Sequence, residues 1–289
     1  MSPTAGPLRY NTCMKQQSPE EILKLARERI AERHAQERRE RDRGWRPAFW
    51  ALLGLLLGTL LLAPGDLSFK LYAVVHGLIA QLHNVFLAGQ QLPVCARNIG
   101  IYGSFLITTG YLWWRGRRRA GAWPARSITV TLLVFAVIMT FDGFNSLFGD
   151  LGWPQLYSPQ NRLRTISGVL FGTALTCAIL LVWNRVLHAE IDRSMPIITW
   201  PDLGAVLLLN GLLFLLVYSD SGWLYWPLAW FVVLGILGEL YMVNVLVIAT
   251  VLGYGKTIRR LSDLARPATL ALLSTTVIVG GLALWRFSL

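Results

Sequence analysis

The chain alternates long apolar runs with short polar gaps. A helix that crosses a bilayer needs about 20 predominantly apolar residues. Seven runs meet that length: near 46–64, 95–114, 127–148, 162–183, 201–219, 225–251 and 267–285. In lipid each backbone N–H and C=O must be paired within the segment, so each run predicts an α-helix. Aromatic residues that favour the headgroup level stand at many of the boundaries: Trp45, Trp50, Trp113, Trp114, Trp183, Trp200, Tyr218, Trp223, Trp226 and Trp285. The fold class that follows is an all-α, polytopic transmembrane bundle of about seven spanning helices.

Residues 68–88 are an eighth apolar stretch, interrupted by His76, Gln81, His83 and Asn84. Loop charge decides how to treat it. If it does not cross, one side of the membrane holds the basic N-terminus and three basic loops. These are 115–126 (Arg115, Arg117, Arg118, Arg119, Arg126), 184–200 (Arg185, Arg193) and 253–266 (Lys256, Arg259, Arg260, Arg266). Loops 149–161 and 220–224, on the other side, contain no Lys or Arg. If it crossed, all three basic loops would move outside, against the positive-inside rule. Residues 68–88 are therefore expected to form a re-entrant or interfacial helix on the outer face. The N-terminus is expected in the cytoplasm and the C-terminus outside it, in the plasma membrane.

Ahead of the first span, residues 1–17 read as disordered. Ser18, Pro19 and Glu21 form a helix start with a capping box. The helix expected over 19–43 is charged almost all round, with Glu20–Lys24 and Glu37–Arg41 at i, i+4 spacing and a thin stripe of Ile22, Leu25 and Ile30. It fits a solvated helix near the membrane surface, or one that binds a protein partner. The domains expected are a basic arm 1–45, a membrane domain 46–183 and a C-terminal group of three spans over 201–289. Gly54 and Gly58, like Gly168 and Gly172, are four apart, a spacing that lets helix backbones approach. No internal repeat of the transporter kind is evident.

Composition agrees with a membrane solvent. Of 289 residues 54% are hydrophobic and 15% charged, against about 25% charged in soluble domains. The net charge of +11 does not indicate nucleic acid, because the basic residues sit at the ends of apolar runs, where anionic lipid attracts them. Membrane lipids are the expected partners. Cys13, Cys95 and Cys177 form no CxxC pair and no disulfide framework.

Polar residues gather at one depth. The outer end of the second span carries Arg97, Asn98 and Tyr102, and that of the third carries Asp142 and Asn145. The start of the fourth carries Asn161 and Arg164. Cys95, Asn98 and Tyr102 share one helical face at i, i+3, i+7, as do Asn161, Arg164 and Gly168. Two helix N-termini with an arginine in each first turn would suit a phosphate or carboxylate. Asp142, near a helix C-terminus, should seek Arg97 or Arg164. The same residues could instead neutralise one another and lock three helices together.

Other chemistries are less supported. His76, His83, Cys95 and Asp142 are metal-ligating types, but His76 and His83 are two helical turns apart and no metal site is assigned. Cys95 with His83 could be nucleophile and base, yet no oxyanion device is identifiable. No cofactor motif appears in a credible context. Glu239, in mid-span beside Gly235, Gly238 and Asn244, is either hydrogen-bonded to a neighbouring helix or part of an ion path. Three functions stay open: binding of an anionic headgroup or small anion, an ion or proton pathway through Glu239 and the Asp142 cluster, and an enzyme acting on a lipid. The first, non-enzymatic, is the leading expectation, with His76, Gln81, His83, Cys95 and Glu239 as secondary candidates.

The motif Pro93, Cys95, Arg97, Gly100, Ile101, Tyr102, followed by Asp142-Gly143 and then Asn161, Arg164, Gly168, resembles the signature of a prokaryotic membrane-protein family, domain-of-unknown-function family 2085. The resemblance covers roughly residues 76–175. It implies a polytopic membrane protein and brings no activity with it. Where that family often has Cys-His-Gln or Cys-x-Gln, this chain reads Ile79-Ala80-Gln81, so chemistry built on that cysteine is not expected here.

Overall fold

The computed structural model describes residues 18–79 and 81–289. The reading of residues 1–17, with Cys13, lies outside the described residues, as does the Lys24 side chain of the expected Glu20–Lys24 pair. The chain divides into two units, Met1–Arg43 and Gly44–Leu289. In the first, α1 (Pro19–Arg41) begins with the expected capping box: the Glu21 N–H donates to Ser18 Oγ and the Ser18 N–H to Glu21 Oε2, both at 3.2 Å. Its apolar residues Ile22, Leu25 and Ile30 are all exposed.

The second unit holds α2 (Trp45–Leu62), α3 (Leu67–His76), the strands β1 (Asn84–Leu87) and β2 (Gln90–Cys95), and α4 (Ala96–Trp114). Then come β3 (Ala120–Ala122), α5 (Arg126–Asp150), α6 (Asn161–Leu187), β4 (Asp192–Pro196), α7 (Trp200–Val217), α8 (Tyr225–Val251) and α9 (Ala265–Phe287). Among the described residues, six helices are long and apolar enough to cross a membrane: α2 and α5 to α9. The exception among the long helices is α4, and its surroundings explain why. It is, with α6, among the most enclosed, its Gly100, Gly103, Ser104, Thr108 and Thr109 all buried against protein. A helix shielded from lipid by its neighbours can carry polar and small residues.

Close contacts set the direction of each helix. A Cβ added at Gly168 would overlap the Arg97 carbonyl oxygen, one at Gly172 the Ile101 carbonyl, and one at Gly100 the Thr165 carbonyl. These contacts advance together along both helices, so α4 and α6 run parallel. Gly235 lies against Tyr102 and Gly238 against Phe105, so α8 runs with them. In contrast α7 is antiparallel: Arg115 reaches Asp202 at its start, while Gly103 lies against Leu213 towards its end. Likewise Arg97, at the start of α4, reaches Asp142 in the last third of α5.

Helix α9 opposes α8, with Asn244 Nδ2 donating to Thr275 Oγ1 at 2.9 Å. It packs beside α2, whose first residue accepts a bond from Thr269. The last turn of α9 meets the end of α3, where Arg286 Nη1 donates to the carbonyls of His76 and Ile79. Residues 63–79 and 81–95 thus stay at one end of the bundle, beside the first turns of α4 and α6, and do not cross it. We call this the hairpin end and the opposite one the arginine end.

Two expectations are corrected. The helix read over 68–88 ends at His76, and Asn84–Cys95 form an antiparallel hairpin. Val85 and Leu87 point inward and Phe86 outward, the period of two proper to a strand. Ala88 and Gly89 both have positive φ, 46° and 79°, which a two-residue hairpin turn requires. Likewise Gly54 and Gly58 on α2 make no close approach: nothing lies within 4 Å of a Cβ added at either. Only the Gly168 and Gly172 pair packs as the spacing suggested.

The arginine end is built around Asp202, which is fully buried and caps α7 together with Thr199. It accepts from Thr199 Oγ1 at 2.6 Å, Arg117 Nη2 at 2.8 Å and Arg115 Nε at 3.1 Å. Asn184 Nδ2 donates to the carbonyls of Arg117 and Ala120, and β3 pairs with β4 in parallel. The turn leaving α4 is therefore tied to both α6 and α7.

Backbone cannot yield at the α4–α6 contact as a flexible side chain would. Gly168→Ala should lower stability by about 1–3 kcal/mol, the usual range for overpacking. Gly54→Ala, in open space, should be neutral or slightly stabilising through helix propensity. Thermal unfolding of both variants in detergent, compared with wild type, checks this.

Candidate functional site

The polar groups at the hairpin end come from the start of α4, the last third of α5, the loop after it, and the start of α6. Asp142 is the hub, 4% exposed. Its Oδ2 accepts from Arg97 Nη2 at 2.6 Å and from Ser167 Oγ at 2.8 Å, and its Oδ1 accepts from Tyr157 OH at 2.8 Å. The same Arg97 nitrogen also reaches the Asp142 carbonyl and Ser146 Oγ, both at 3.1 Å. Asp142 has therefore found an arginine, as its place near a helix C-terminus required.

Tyr157 is delivered by a loop that Asn145 holds. Asn145 Oδ1 accepts from the Leu156 N–H at 2.7 Å, and its Nδ2 donates to the Tyr157 carbonyl at 2.9 Å. Burial, and the hydrogen bond to the Asp142 carboxylate, push the Tyr157 phenol up to about 12, so it stays a donor.

Arg164 is placed differently. The residue is 6% exposed, and its hydrogen-bond partners are neutral: Nε donates to Ser146 Oγ at 3.3 Å and Nη1 to Asn161 Oδ1 at 3.2 Å. Among the described residues no carboxylate oxygen lies within 4.0 Å of it. Asn161 Nδ2 also donates to the Asn84 carbonyl at 2.8 Å, tying α6 to the hairpin. On the rim, His83 Nε2 lies 3.4 Å from Oδ1 of the half-exposed Asp150. Burial first, then the nearby Arg164 and Arg97 charges, hold the His83 imidazole below its usual value, outweighing the opposite pull of Asp150. At neutral pH it is uncharged.

The other candidates are dispersed. Cys95 is the residue before α4, and its Sγ accepts from Asn98 Nδ2 at 3.2 Å. Tyr102 faces α8, where Gly235 packs against its backbone. Gln81 Nε2 donates to the Pro93 carbonyl, bracing the hairpin. His76 is stacked between Tyr72 and Phe287, ring centroids 4.9 and 4.7 Å away, far from the cluster in the contacts it makes. Glu239 is 8% exposed in α8, its Oε2 enclosed without a hydrogen-bond partner. Among the described residues no three His, Cys, Asp or Glu side chains gather as a metal site would require.

Sequence reasoning missed Ser146, Ser167, Tyr157 and Asp150. Ser146 lies four residues after Asp142 on one helical face, and Ser167 three after Arg164, so helical spacing could have named both. Tyr157 had no such signal, since its position depends on how the loop folds back over Asn145.

No curated protein and no solved structure matches this chain. The motif that runs from the end of the hairpin through the arginine–aspartate hub into α6 has a counterpart among known families: residues 79–178 match the family described as Predicted membrane protein (DUF2085).

Proposed function

We propose that this multi-pass membrane protein binds a small anion or an anionic headgroup at the hairpin end, with Arg164 as its principal ligand. The observation that carries the proposal is the imbalance of buried charge. Arg97 and Asp142 neutralise one another, whereas the enclosed Arg164 guanidinium has only neutral groups within bonding distance. Asp142 and the half-exposed Asp150 attract it only from beyond 4.0 Å, so the burial of its charge is partly compensated, and a bound anion in direct contact offsets the remainder. The first turns of α4 and α6 add partial positive charge on the same side. In this reading Arg97 and Asp142 are a clamp that positions α4, α5 and α6, and Asn161 and Ser146 orient the ligand-binding arginine. The hairpin end faces outward in the plasma membrane, because the arginine end carries the basic loops. The N-terminus is then cytoplasmic and the C-terminus outside.

An ion or proton path through Glu239 and Asp142 is the second reading, and the enclosed Glu239 Oε2 favours it. Against it, Ser104 and Thr173 between α4 and α6 are fully buried and bonded to each other at 2.9 Å, so these two hydroxyls are closed to bulk solvent. For a lipid enzyme, Cys95 bonds Asn98 and His83 lies against Asp150, so neither is paired with Asp142.

The clamp and the ligand residue separate on mutation. Asp142→Ala leaves the part-buried Arg97 without its counter-charge and should cost about 1.5–3 kcal/mol of stability, the range for hydrogen bonds to charged groups. Arg164→Gln should leave the anion-free protein as stable as wild type or more so, abolish the thermal stabilisation by phosphate and reduce that by phosphatidylglycerol. For wild type that stabilisation should be about 2.7 kcal/mol at a hundredfold excess over Kd. Phosphate and vesicle arms distinguish a free anion from a headgroup; unchanged ligand stabilisation in Arg164→Gln refutes the site.

The pH dependence follows from His83. Its folded pKa lies below the unfolded value of about 6.5, so its contribution to stability is present above that value and lost as pH falls through the folded one. Once protonated it adds a positive charge beside Arg164. Anion affinity should therefore rise as pH drops below about 6.5, and His83→Gln should flatten the rise in a calorimetric titration series.

Orientation has its own test. Alkaline phosphatase fused within Gly149–Gln160 should be active, and fused within 116–119 inactive; the reverse result would invert the assignment.

A further inference from the structure

On the far side of α4 from the arginine–aspartate cluster lies an apolar groove of about 930 Å³, between α4, α7 and α8. Its walls include Ile107 and Gly110 of α4, Leu208 and Leu212 of α7, and Pro227 and Phe231 of α8. Along α7 it runs from Ala205 to Leu216, about 16 Å at 1.5 Å per residue, about half the hydrocarbon thickness of a bilayer. A surface of this kind within spanning helices faces acyl chains.

The two ends of the groove differ in charge. At the arginine end the wall finishes with Tyr111 and the exposed Trp114, next in sequence to Arg115. There Arg115 and Arg117 share the single carboxylate of Asp202, which leaves one positive charge in excess. Arg118 stacks on the Trp113 ring, 5.3 Å from its centroid, with no carboxylate within 4.0 Å among the described residues. The other end closes on Leu224 and Pro227, after a loop that carries Asp220. An anion is drawn to the first end and repelled from the second.

We propose that this groove binds an anionic glycerophospholipid of the leaflet at the arginine end, with acyl chain in the groove and phosphate beside Arg115 and Arg118. The excess positive charge at one end of the groove favours an anionic lipid over the apolar face of a second helix. The volume is at the upper end of the roughly 300–1,000 Å³ of ligand pockets. The aromatic pair Tyr111–Trp114 sits where headgroup meets chain, a level that such rings prefer.

Native mass spectrometry of the full-length chain in detergent tests the site, with phosphatidylglycerol and phosphatidylcholine of identical acyl chains as probes. Wild type should retain phosphatidylglycerol about tenfold more tightly. Gly110 has open space around its Cβ position, so Gly110→Phe fills the groove without disturbing packing and should remove the groove-bound adduct. Arg118→Gln should erase the headgroup preference and leave phosphatidylcholine binding unchanged. Arg164→Gln, at the opposite end of the bundle, should lose only the hairpin-end adduct and keep the groove-bound phosphatidylglycerol; loss of every adduct there, with none lost in Gly110→Phe, would assign binding to the other site and overturn this one. Equal binding of the two lipids, or undiminished retention in Gly110→Phe, also overturns the proposal. A wild-type dimer that Gly110→Phe dissolves would hand the groove to a second copy.

Discussion

The backbone contact between α4 and α6 is the constraint on which the rest of the bundle depends. Gly100, Gly168 and Gly172 bring the two helices so close that no side chain separates them, and carbonyl oxygens stand directly over glycine Cα atoms. Weak Cα–H···O contacts and dense packing hold such pairs in lipid, where apolar burial supplies little force between helices. Because α4 is enclosed by this contact and by α7 and α8, it can carry Asn98, Ser104, Thr108 and Thr109, which a lipid-facing helix could not do cheaply. Its two ends are then pinned by ion pairs, Arg97 to Asp142 at one and Arg115 and Arg117 to Asp202 at the other.

A parallel α4–α6 pair creates an electrostatic problem, which the distribution of charge answers at one end. With α8 also parallel, three central helices put their N-termini at the hairpin end and their C-termini at the arginine end. Acids stabilise the first and cations the second. Arg115, Arg117, Arg185 and Lys256 lie by the C-termini at the arginine end, whereas at the hairpin end Asp142, Asp150 and Asp220 sit among Arg97, Arg162 and Arg164, which stand in the first turns of α4 and α6 against the dipoles. At the arginine end the charge bias that reads as a membrane-orientation signal therefore also complements the dipoles of the central helices. The two effects add, and they share one cause in the direction of the chain.

Much of this was legible in the sequence because lipid imposes a length. The seven runs became seven long helices, most boundaries moving by only a few residues, since apolar length and interfacial aromatics mark both ends. The failures came where the solvent rule gives no instruction. Residues 81–95 are held by protein, and their short apolar stretch Val85–Leu87 cannot by itself distinguish helix from strand. The better signals were local, Ala88-Gly89 as a turn and Pro93 as a helix breaker. Gly54–Gly58 and Gly168–Gly172 have the same spacing, yet only one pair has a partner helix, which spacing alone does not encode. At the candidate site, residue types and depth were readable from helical periodicity. The division of labour was not: which arginine takes Asp142 depends on Tyr157 and Ser167 fixing the carboxylate, and so on the fold of a loop.

Helix α4 divides the molecule into two chemistries. One side faces α5 and α6 with Arg97 and Ser104; the other faces the α7–α8 groove with Ile107, Gly110 and Trp114. A helix that touches both sites invites the idea that one ligand governs the other. Coupling of that kind needs an element with two arrangements that both ligands bias. The α4–α6 contact argues against α4 being such an element: a slide by one residue would drive a Cβ-bearing position into the carbonyls that Gly168 and Gly172 now accommodate, and would break the ion pairs at both ends. Rigid packing of this sort makes α4 a wall between two sites, so binding at either end should be felt there alone.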